Sequence, residues 1–220
     1  MAYVFLESRP ITWSETRRRL RQDRARLRDL FVAHAFDVPR VLLFHPSYQA
    51  ILLHRLSHFF FVGGHRLLGR FFWHLNLILT GADISPLSRV GGGVVLLHPI
   101  STQIFGVVGE GCTFWGAGGI GGGRSAQNIG AGPGLPVVED GVVFCTRAVV
   151  LGPVRVGARS EIGPGCIVYR DLPPGSRIEP IKPRIIRSGA SPSESANTAD
   201  NQSAASELER SARAPHDESV

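Results

Sequence analysis

The sequence predicts a mainly β protein built on a parallel β-helix and preceded by an α-helical region. Two observations support this. Large apolar side chains recur every six residues over much of the chain, and glycine follows many of them. A helix repeats near 3.6 residues and a strand every two, so neither explains a sustained period of six. Glycine-rich six-residue repeats are typical of a β-helix, whereas the apolar residues before the repeats have helical spacing.

The six-residue repeat predicts a three-sided prism over residues 82–172, with each repeat side chain in its interior. The repeat residues are Ile84, Val90, Leu96, Thr102, Val108, Phe114, Ile120, Val138, Phe144, Val150, Val156, Ile162 and Val168, of which one, Thr102, is polar. The segment between Ile120 and Val138 is rich in glycine and proline and should loop out. Long loops on rigid scaffolds often carry function, although a tolerated surface insertion is the alternative.

Three helices are predicted before the prism, over residues 14–32, 48–62 and 65–79. Ser14 is a suitable N-cap, and Thr80-Gly81 should end the last helix. The first helix carries seven arginines, which we expect to form a solvated face. The other two carry apolar side chains at helical spacing, which indicates core or subunit interface. These are Leu52, Leu53, Leu56, Phe59 and Phe60, and Leu68, Phe71, Phe72 and Leu75.

The net charge of +6 is unevenly distributed. Residues 188–220 contain six acidic and two basic side chains, so this tail carries −4 and residues 1–187 carry +10. A basic body suits an anionic ligand such as a nucleotide diphosphate. A nucleic-acid partner is not predicted, because the usual motifs of basic and aromatic residues are missing. The tail has few large apolar residues and is expected to be disordered. The predicted organisation is therefore a helical region (1–81), a prism domain (82–187) and an acidic tail (188–220).

Cysteine usage and hydropathy indicate a cytoplasmic protein. Cys112, Cys145 and Cys166 have no metal-ligand spacing, which predicts reduced thiols and no metal site. No signal peptide is expected from the first residues. The most apolar stretch, residues 58–79, is interrupted by arginine and histidine, so a transmembrane segment is not predicted. A helix lying on a membrane surface stays open as an alternative.

Several segments carry a resemblance to a known family. They are HPSYQAILLHRLSHFFF and LLGRFFWHLNLILTGADISPLSRVGGG, then LLHP, then VVEDGVVFCTRAVVLGPVRVGARSEIGPGCIVYRDLPPGS. With helices that end in T-G-x-[DE]-I-x-P before hexapeptide repeats, the chain resembles the serine O-acetyltransferase family of hexapeptide-repeat acyltransferases over most of residues 27–187. The resemblance implies a left-handed β-helix, a homotrimer or dimer of trimers, and acetyl-CoA bound in a groove between neighbouring prisms.

The resemblance implies that His98, in LLHP, is the general base and that Asp83 is its supporting carboxylate. A neutral imidazole can take the proton of an alcohol as the alcohol attacks a thioester. A carboxylate on the other ring nitrogen fixes the tautomer and stabilises the imidazolium. Without the resemblance, His98 reads as a structural residue in an apolar run.

The resemblance also implies which residues contact the acetyl-CoA pantetheine. They are Gly121, Gly122, Thr146 and Pro164, although ordinary corners of a β-helix would look the same. Small residues there would let the pantetheine approach the backbone closely. Glu161 stands where the family often has a lysine.

The acceptor side of the sequence departs from the family. Leu97 stands where serine enzymes have an aspartate, and Gly134-Leu135-Pro136 aligns with their Arg-His-Pro. A zwitterionic amino acid needs compensating charges, so we expect poor use of L-serine. The loop can still offer polar contacts to an acceptor through Arg124, Gln127 and Asn128.

Three functions follow. The first is transfer of acetyl from acetyl-CoA to L-serine, which gives O-acetylserine for cysteine biosynthesis. The second is the same transfer to a hydroxyl of a sugar or polysaccharide precursor. The third, from another class, is a non-catalytic assembly or regulatory subunit.

Overall fold

The computed structural model of the chain describes residues 11–33 and 44–181. Those up to Pro180 belong to one compact unit, in which helices precede short strands. The helices are α1 (Trp13–Ala33), α2 (Pro46–Val62) and α3 (Arg66–Thr80). The strands are β1 (Asp83–Ile84), β2 (Arg89–Val90), β3 (Val95–Leu96), β4 (Gln103–Ile104), β5 (Val107–Val108), β6 (Thr113–Phe114), β7 (Gly119–Gly121), β8 (Val137–Val138), β9 (Val143–Phe144), β10 (Val149–Leu151), β11 (Arg155–Val156), β12 (Glu161–Ile162), β13 (Ile167–Val168) and β14 (Arg177–Ile178). The predicted tail lies outside the described residues.

The strands form three parallel sheets, which we number by their first strand. Sheet 1 has the order β1-β4-β7-β10-β13, sheet 2 the order β2-β5-β8-β11, and sheet 3 the order β3-β6-β9-β12-β14. Up to β13, consecutive strands visit the three sheets in rotation, so the chain coils and each turn pairs with the turn before it. The predicted combination of N-terminal helices and parallel strands is confirmed.

The interior of the prism is filled by the apolar residues of the six-residue repeat. All of them from Ile84 to Val168 are buried. The Phe114 and Phe144 rings stack between adjacent turns with their centroids 4.4 Å apart. Repeat side chains on paired strands thus lie above one another and form continuous apolar columns. An inserted or deleted residue would move a side chain out of its column, so the repeat length is constrained.

The prediction for Thr102 was wrong. Ile84 pairs with Ile104, not with Thr102, whereas Val90 pairs with Val108. The connection between β3 and β4 is therefore two residues longer than the repeat requires, and the connection between β4 and β5 is two residues shorter. The repeat is back in register at Val108, so a sequence pattern cannot detect the shift. Thr102 is the last residue of this longer connection, residues 97–102, and it is buried.

A buried ion pair joins α1 and α2 to the prism. Arg55 on α2 donates from Nε and Nη2 to the two carboxylate oxygens of Asp23 on α1, at 3.0 and 3.2 Å. Their side chains are 2% and 0% exposed. Arg55 also donates to the carbonyl oxygens of Val90 and Gly91, and Asp23 accepts from the Val94 N–H at 3.1 Å. Burial raises the pKa of Asp23, whereas the Arg55 guanidinium lowers it.

The arginines of α1 do not all form a solvated face. Arg19 donates to the Val90 carbonyl oxygen at 3.1 Å. Arg26 donates to the Gly111 carbonyl oxygen at 2.6 Å and to the Thr113 hydroxyl at 3.1 Å. The other five are exposed as predicted. Two of the seven arginines therefore dock α1 on the prism through backbone carbonyls.

The helix α3 lies with its apolar side outward. Its buried residues are Gly69, Asn76 and Thr80. Leu68 and Phe71, which the sequence placed in a core or interface, are exposed, as are Leu67 at 84% and Ile78 at 78%. They are therefore not core residues of a single chain. None of the helices within residues 11–33 and 44–181 combines the length and hydropathy of a bilayer-spanning segment.

Asp23→Asn should destabilise the protein by about 3–5 kcal/mol, because it leaves the Arg55 guanidinium buried without an anion. The midpoint of urea unfolding at fixed protein concentration measures the loss. The control is Asp29→Asn, which breaks the exposed ion pair with Arg28 on the same helix. That change should cost about 0–1 kcal/mol. Equal effects of the two substitutions would contradict the assignment of Asp23 as the docking residue.

Stability should fall as the pH drops below about 6.5, the pKa of an unfolded histidine. Burial lowers the pKa of His54 and His58, so the folded protein binds these protons less readily than the unfolded chain. The stability that the two neutral histidines contribute is present in full above about pH 6.5. It is lost as the pH falls towards their pKa values in the folded protein. His54, whose ring nitrogens have no partner among the described residues, should be replaceable. His54→Leu should flatten the dependence of the melting temperature on pH, whereas His74→Leu, at an exposed site, should not.

Candidate functional site

One edge of the prism carries three of the predicted site residues, His98, Thr146 and Pro164. It is formed where sheet 3 passes into sheet 1, by the turns 97–102, 115–118, 145–148 and 163–166, and we call it the His98 edge. Backbone hydrogen bonds stack these turns: Leu97 donates to Phe114, Trp115 to Phe144, and Cys145 to Ile162, each at 2.9 Å. Adjacent turns lie about 4.8 Å apart, so the edge is about 14 Å long.

His98 lies on the longer connection at the start of this edge, and its side chain is exposed. The connection folds back on the chain that leaves α3. The backbone N–H of Ser101 donates to the Gly81 carbonyl oxygen at 2.9 Å, and the backbone N–H of Asp83 donates to the Thr102 carbonyl oxygen at 2.9 Å. The Thr102 hydroxyl in turn donates to the His98 carbonyl oxygen at 3.3 Å. Thr102 thus connects the backbones of the two predicted catalytic residues.

Asp83 is the first residue of β1 and is half-buried, at the same end of sheet 1 as the His98 edge. Its Oδ1 accepts a hydrogen bond from the indole Nε1 of Trp73 at 2.9 Å. In the part of the chain that the structure describes, no hydrogen bond joins the Asp83 carboxylate to the His98 ring. The predicted catalytic pair is therefore brought to one region through backbone contacts, with Trp73 bound to the carboxylate.

Gly116 lies directly against His98 in the next turn of the edge. A Cβ on this residue would be 2.8 Å from the His98 Cβ and 3.0 Å from its carbonyl oxygen. Its φ is +145°, which L side chains rarely adopt. Gly116 was not among the predicted site residues, because a glycine at a corner gives no signal of this contact.

His45 was also missed, and it belongs to the surroundings of His98. It caps α2 by accepting the Ser47 N–H on Nδ1 at 3.3 Å, and its ring meets Phe31 edge-on at 5.0 Å. Burial, and then the charge of His98, lowers the pKa of His45. The Ser47 hydroxyl donates to the Leu97 carbonyl oxygen at 2.8 Å. The N-terminus of α2 is therefore fastened to the residue before His98.

Two of the predicted pantetheine residues, Thr146 and Pro164, lie on the His98 edge in successive turns. Both are exposed, and Gly165 donates to the Thr146 carbonyl oxygen at 3.0 Å. Gly121 and Gly122 lie away from them, at the other end of β7, where the loop begins. A Cβ on Gly121 would meet one atom within 4 Å, on Leu151. The four residues thus border sheet 1 from two sides.

The loop between β7 and β8 has its own internal hydrogen bonds. Asn128 Oδ1 accepts from the N–H groups of Gly130 and Gly132, at 2.9 and 3.1 Å. Arg89 and Arg155 donate to the carbonyl oxygens of Gly130 and Ile129. The predicted acceptor residues Arg124, Gln127 and Asn128 are all exposed. The carbonyl end of Asn128 is occupied by the loop itself, and its amide end faces no partner among the described residues.

The positions that depart from the family are occupied by packing and turn residues. Leu97 is half-buried against the cluster of Leu27, Phe31 and Val95 between α1 and β3. Gly134 has a φ of +72°, and a Cβ there would be 2.5 Å from the Ser125 carbonyl oxygen. A Cβ on Gly122 would lie 3.5 Å from Leu135 Cδ2. None of these positions offers a charge to an acceptor.

Other features of the surface do not point to catalysis. A groove of about 860 Å³ lies along a different prism edge, between α1 and the turns that contain Gly92, Gly111 and Gly141, and none of the predicted site residues lines it. Among the described residues no group of three or more potential ligands could hold a metal. Burial raises the pKa of Cys112 to about 11 and also raises that of Cys145. Neither thiol is therefore an activated nucleophile.

Comparisons of the sequence identify relatives of one kind. The chain is 34% identical to serine acetyltransferase of Synechococcus elongatus over 152 residues, which is 68% of this chain and 61% of the relative. It is 32% identical to serine acetyltransferase of Mycobacterium tuberculosis over 170 residues, which is 74% of this chain and 69% of the relative. The match thus leaves more than a third of the cyanobacterial relative uncovered. No protein-family model matches the chain.

Comparisons of the structure agree with those of the sequence. Serine acetyltransferase of Neisseria gonorrhoeae superposes with a TM-score of 0.69 at 24% identity, over 83% of this chain and 70% of that protein. A serine acetyltransferase solved as a complex with CoA superposes with a TM-score of 0.67 at 19% identity, over 79% and 71% of the two chains. At these identities the likeness establishes a shared fold.

Gly116→Ala should lower kcat by about 100-fold, because the added Cβ displaces His98. Gly175→Ala is the matched control, since Gly175 has a φ of +72° but nothing within 4 Å of a Cβ. Both changes place alanine at a positive φ, which costs on the order of 1–3 kcal/mol at each position. Only the first should affect turnover, measured as free thiol released from acetyl-CoA in the presence of an acceptor. A similar loss in both variants would mean that the contact with His98 has no catalytic consequence.

Proposed function

Because the chain belongs to the serine acetyltransferase family, we propose that it is an O-acetyltransferase that moves an acetyl group from acetyl-CoA to a hydroxyl. The observation that carries the proposal is the His98 edge. It has an exposed imidazole at one end and exposed Thr146 and Pro164 two and three turns away. An edge about 14 Å long suits an extended thioester chain whose reactive end lies at the imidazole.

The proposed chemistry needs one base and one carboxylate. The His98 imidazole takes the proton of the acceptor hydroxyl as its oxygen attacks the thioester carbonyl carbon. The carbon–sulfur bond then breaks, and the imidazolium returns the proton to the departing thiolate of CoA. Asp83 stabilises the imidazolium on its other nitrogen. Its backbone link to His98 through Thr102 supports this role.

Acetyl-CoA is proposed to lie along sheet 1, in contact with Gly121, Gly122, Thr146 and Pro164. Gly119 and Gly121 on β7 have no side chains to block an approaching chain. Glu161 is an anion and cannot supply the cation that a phosphate needs. It lies beside the Arg177 guanidinium at 3.9 Å.

We further propose a left-handed coil and a homotrimer, or a dimer of trimers. The outward apolar side of α3 supports an oligomer, since exposed patches of this kind mark interfaces. Its exposed members are Leu67, Leu68, Phe71, Leu77, Ile78 and Leu79. A groove between neighbouring prisms would complete the acetyl-CoA site. We propose residues 1–81, 82–187 and 188–220 as the helical region, the transferase domain and an acidic tail. We also propose a cytoplasmic location, which the three free cysteines support.

The acceptor is proposed to be a neutral hydroxyl, such as one on a sugar or polysaccharide precursor. Leu97 is held in an apolar cluster, and the turn at Gly134 and Leu135 bears no charge. L-serine as the acceptor is the second candidate, and the names of the relatives favour it. A non-catalytic assembly or regulatory subunit is the third, and it would leave an exposed imidazole at the His98 edge without a role.

His98→Ala should reduce turnover by about 10²–10⁴-fold, the range for loss of a general base. Acetyl-CoA affinity, measured by isothermal titration calorimetry, should stay within a few-fold, because the imidazole acts on the acceptor. Asp83→Asn should reduce turnover less. The control is His74→Ala, an exposed histidine on α3. Full turnover by His98→Ala would remove the proposed mechanism and favour a non-catalytic subunit.

L-serine should be a poor acceptor compared with a neutral polyol. Each charged contact missing at Leu97, Gly134 and Leu135 is worth about 1.5–3 kcal/mol, and a neutral hydroxyl loses nothing from their absence. Steady-state kinetics with L-serine, sugars and sugar alcohols test this. A millimolar KM for L-serine with kcat above about 1 s⁻¹, the low end for enzymes, would restore serine as the acceptor.

A further inference from the structure

The residues that α3 turns towards the rest of the protein form one stripe. Gly69, Trp73, Asn76 and Thr80 follow one another at intervals of four, three and four residues, which places them on one side of a helix. Gly69, Asn76 and Thr80 are buried and Trp73 is half-buried. The helix therefore presents three small or polar residues and one indole to its neighbours.

Polar contacts fix the position of this stripe. The Ser57 hydroxyl donates to the Gly69 carbonyl oxygen at 2.8 Å, and Asn76 Nδ2 donates to the Ala50 carbonyl oxygen at 3.0 Å. The Thr80 hydroxyl donates to Asn76 Oδ1 at 2.7 Å. At Gly69 the helices are so close that a Cβ would be 2.6 Å from the Phe61 Cβ. The indole of Trp73 is thus held by a rigid support.

The same helix leads directly into the predicted catalytic carboxylate. Gly81 ends α3 in the left-handed conformation, with a φ of +71°, and its N–H donates to the Leu77 carbonyl oxygen at 3.1 Å. Asp83 follows two residues later and receives the indole N–H on Oδ1 at 2.9 Å. Since Oδ2 has no hydrogen bond to any described residue, one oxygen of the carboxylate is held and the other is open.

We propose that Trp73 is a positioning residue for the acetyl transfer, whose indole N–H holds Asp83 Oδ1 so that Oδ2 is directed at the His98 imidazole. This inference rests on the proposed function. An indole N–H can only donate and does not titrate in the working pH range, so it holds the carboxylate without competing for the proton. Without it, the carboxylate is free to rotate and the imidazole loses its orientation.

A double-mutant cycle tests the inference. Trp73→Phe keeps an aromatic ring and removes the N–H, and Trp13→Phe is the matched control at a half-exposed tryptophan on α1. We expect Trp73→Phe to lower kcat by about 10- to 100-fold with KM for acetyl-CoA within about 2-fold of the parent. In an Asp83→Asn background the same change should have no further effect, because Trp73 acts through Asp83.

A second measurement does not depend on turnover. Diethyl pyrocarbonate modifies neutral imidazoles, and peptide mass spectrometry gives its rate at His98. Trp73→Phe should change this rate in the same direction as Asp83→Asn, and the double variant should match Asp83→Asn. Turnover of the parent protein is first measured with L-serine and with methyl α-glucopyranoside. The variants are then assayed with whichever of the two the parent acetylates faster.

The outcomes separate the two proposals. If Asp83→Asn lowers kcat and alters the His98 modification rate but Trp73→Phe changes neither, the role of Trp73 is refuted and the proposed function stands. If Trp73→Phe lowers kcat by the same factor in both backgrounds, Trp73 acts independently of Asp83 and the inference is also refuted. If neither His98→Ala nor Asp83→Asn affects turnover, the proposed function itself fails.

Discussion

The buried ion pair between Asp23 and Arg55 is the constraint on which the arrangement of this protein depends. Two charges taken out of water are costly unless their hydrogen-bonding capacity is filled. Here Val90, Gly91 and Val94 on the first turn of the prism complete the pair. The pair therefore forms only when α1, α2 and the prism are together. The N-terminus of α2 is thereby placed at Leu97, and α3, which packs on α2, is placed at Asp83.

Much of the fold could be predicted because the constraint on the interior is periodic. Every strand of every turn must place an apolar side chain in the interior, and the six-residue repeat from Ile84 to Val168 is the direct result of this requirement. The longer connection before Ile104 escaped prediction because the next connection is shorter by the same two residues. For α3 the sequence left core and subunit interface open, because apolar residues at helical spacing look the same in both cases, and the structure excludes the core of a single chain for Leu68 and Phe71.

The site was predictable only where a residue type has a chemical signature. His98 and Asp83 were found through a resemblance, and that their side chains meet stays a prediction. Gly116 and His45 lie near His98 through contacts between parts of the chain that are distant in sequence, and such contacts leave no local pattern. Ser47, for instance, bonds to a carbonyl fifty residues away. A signal was present at Trp73, since it shares a helical stripe with Gly69, Asn76 and Thr80, but that stripe is informative only once the inward side is known.

The two halves of the proposed reaction depend on different parts of this architecture. The His98 edge is made of stacked turns, and a chain lying along it would meet mainly backbone groups, which almost any sequence with the repeat can supply. The proposed surroundings of the acceptor are instead made by side chains outside the repeat. They include Leu97 after β3, His45 at the N-terminus of α2 and Leu135 in the loop. These side chains can change without disturbing the prism, because none belongs to a repeat position. A family that keeps the donor edge can therefore alter its acceptor, and the uncharged residues beside His98 are physically consistent with such a change.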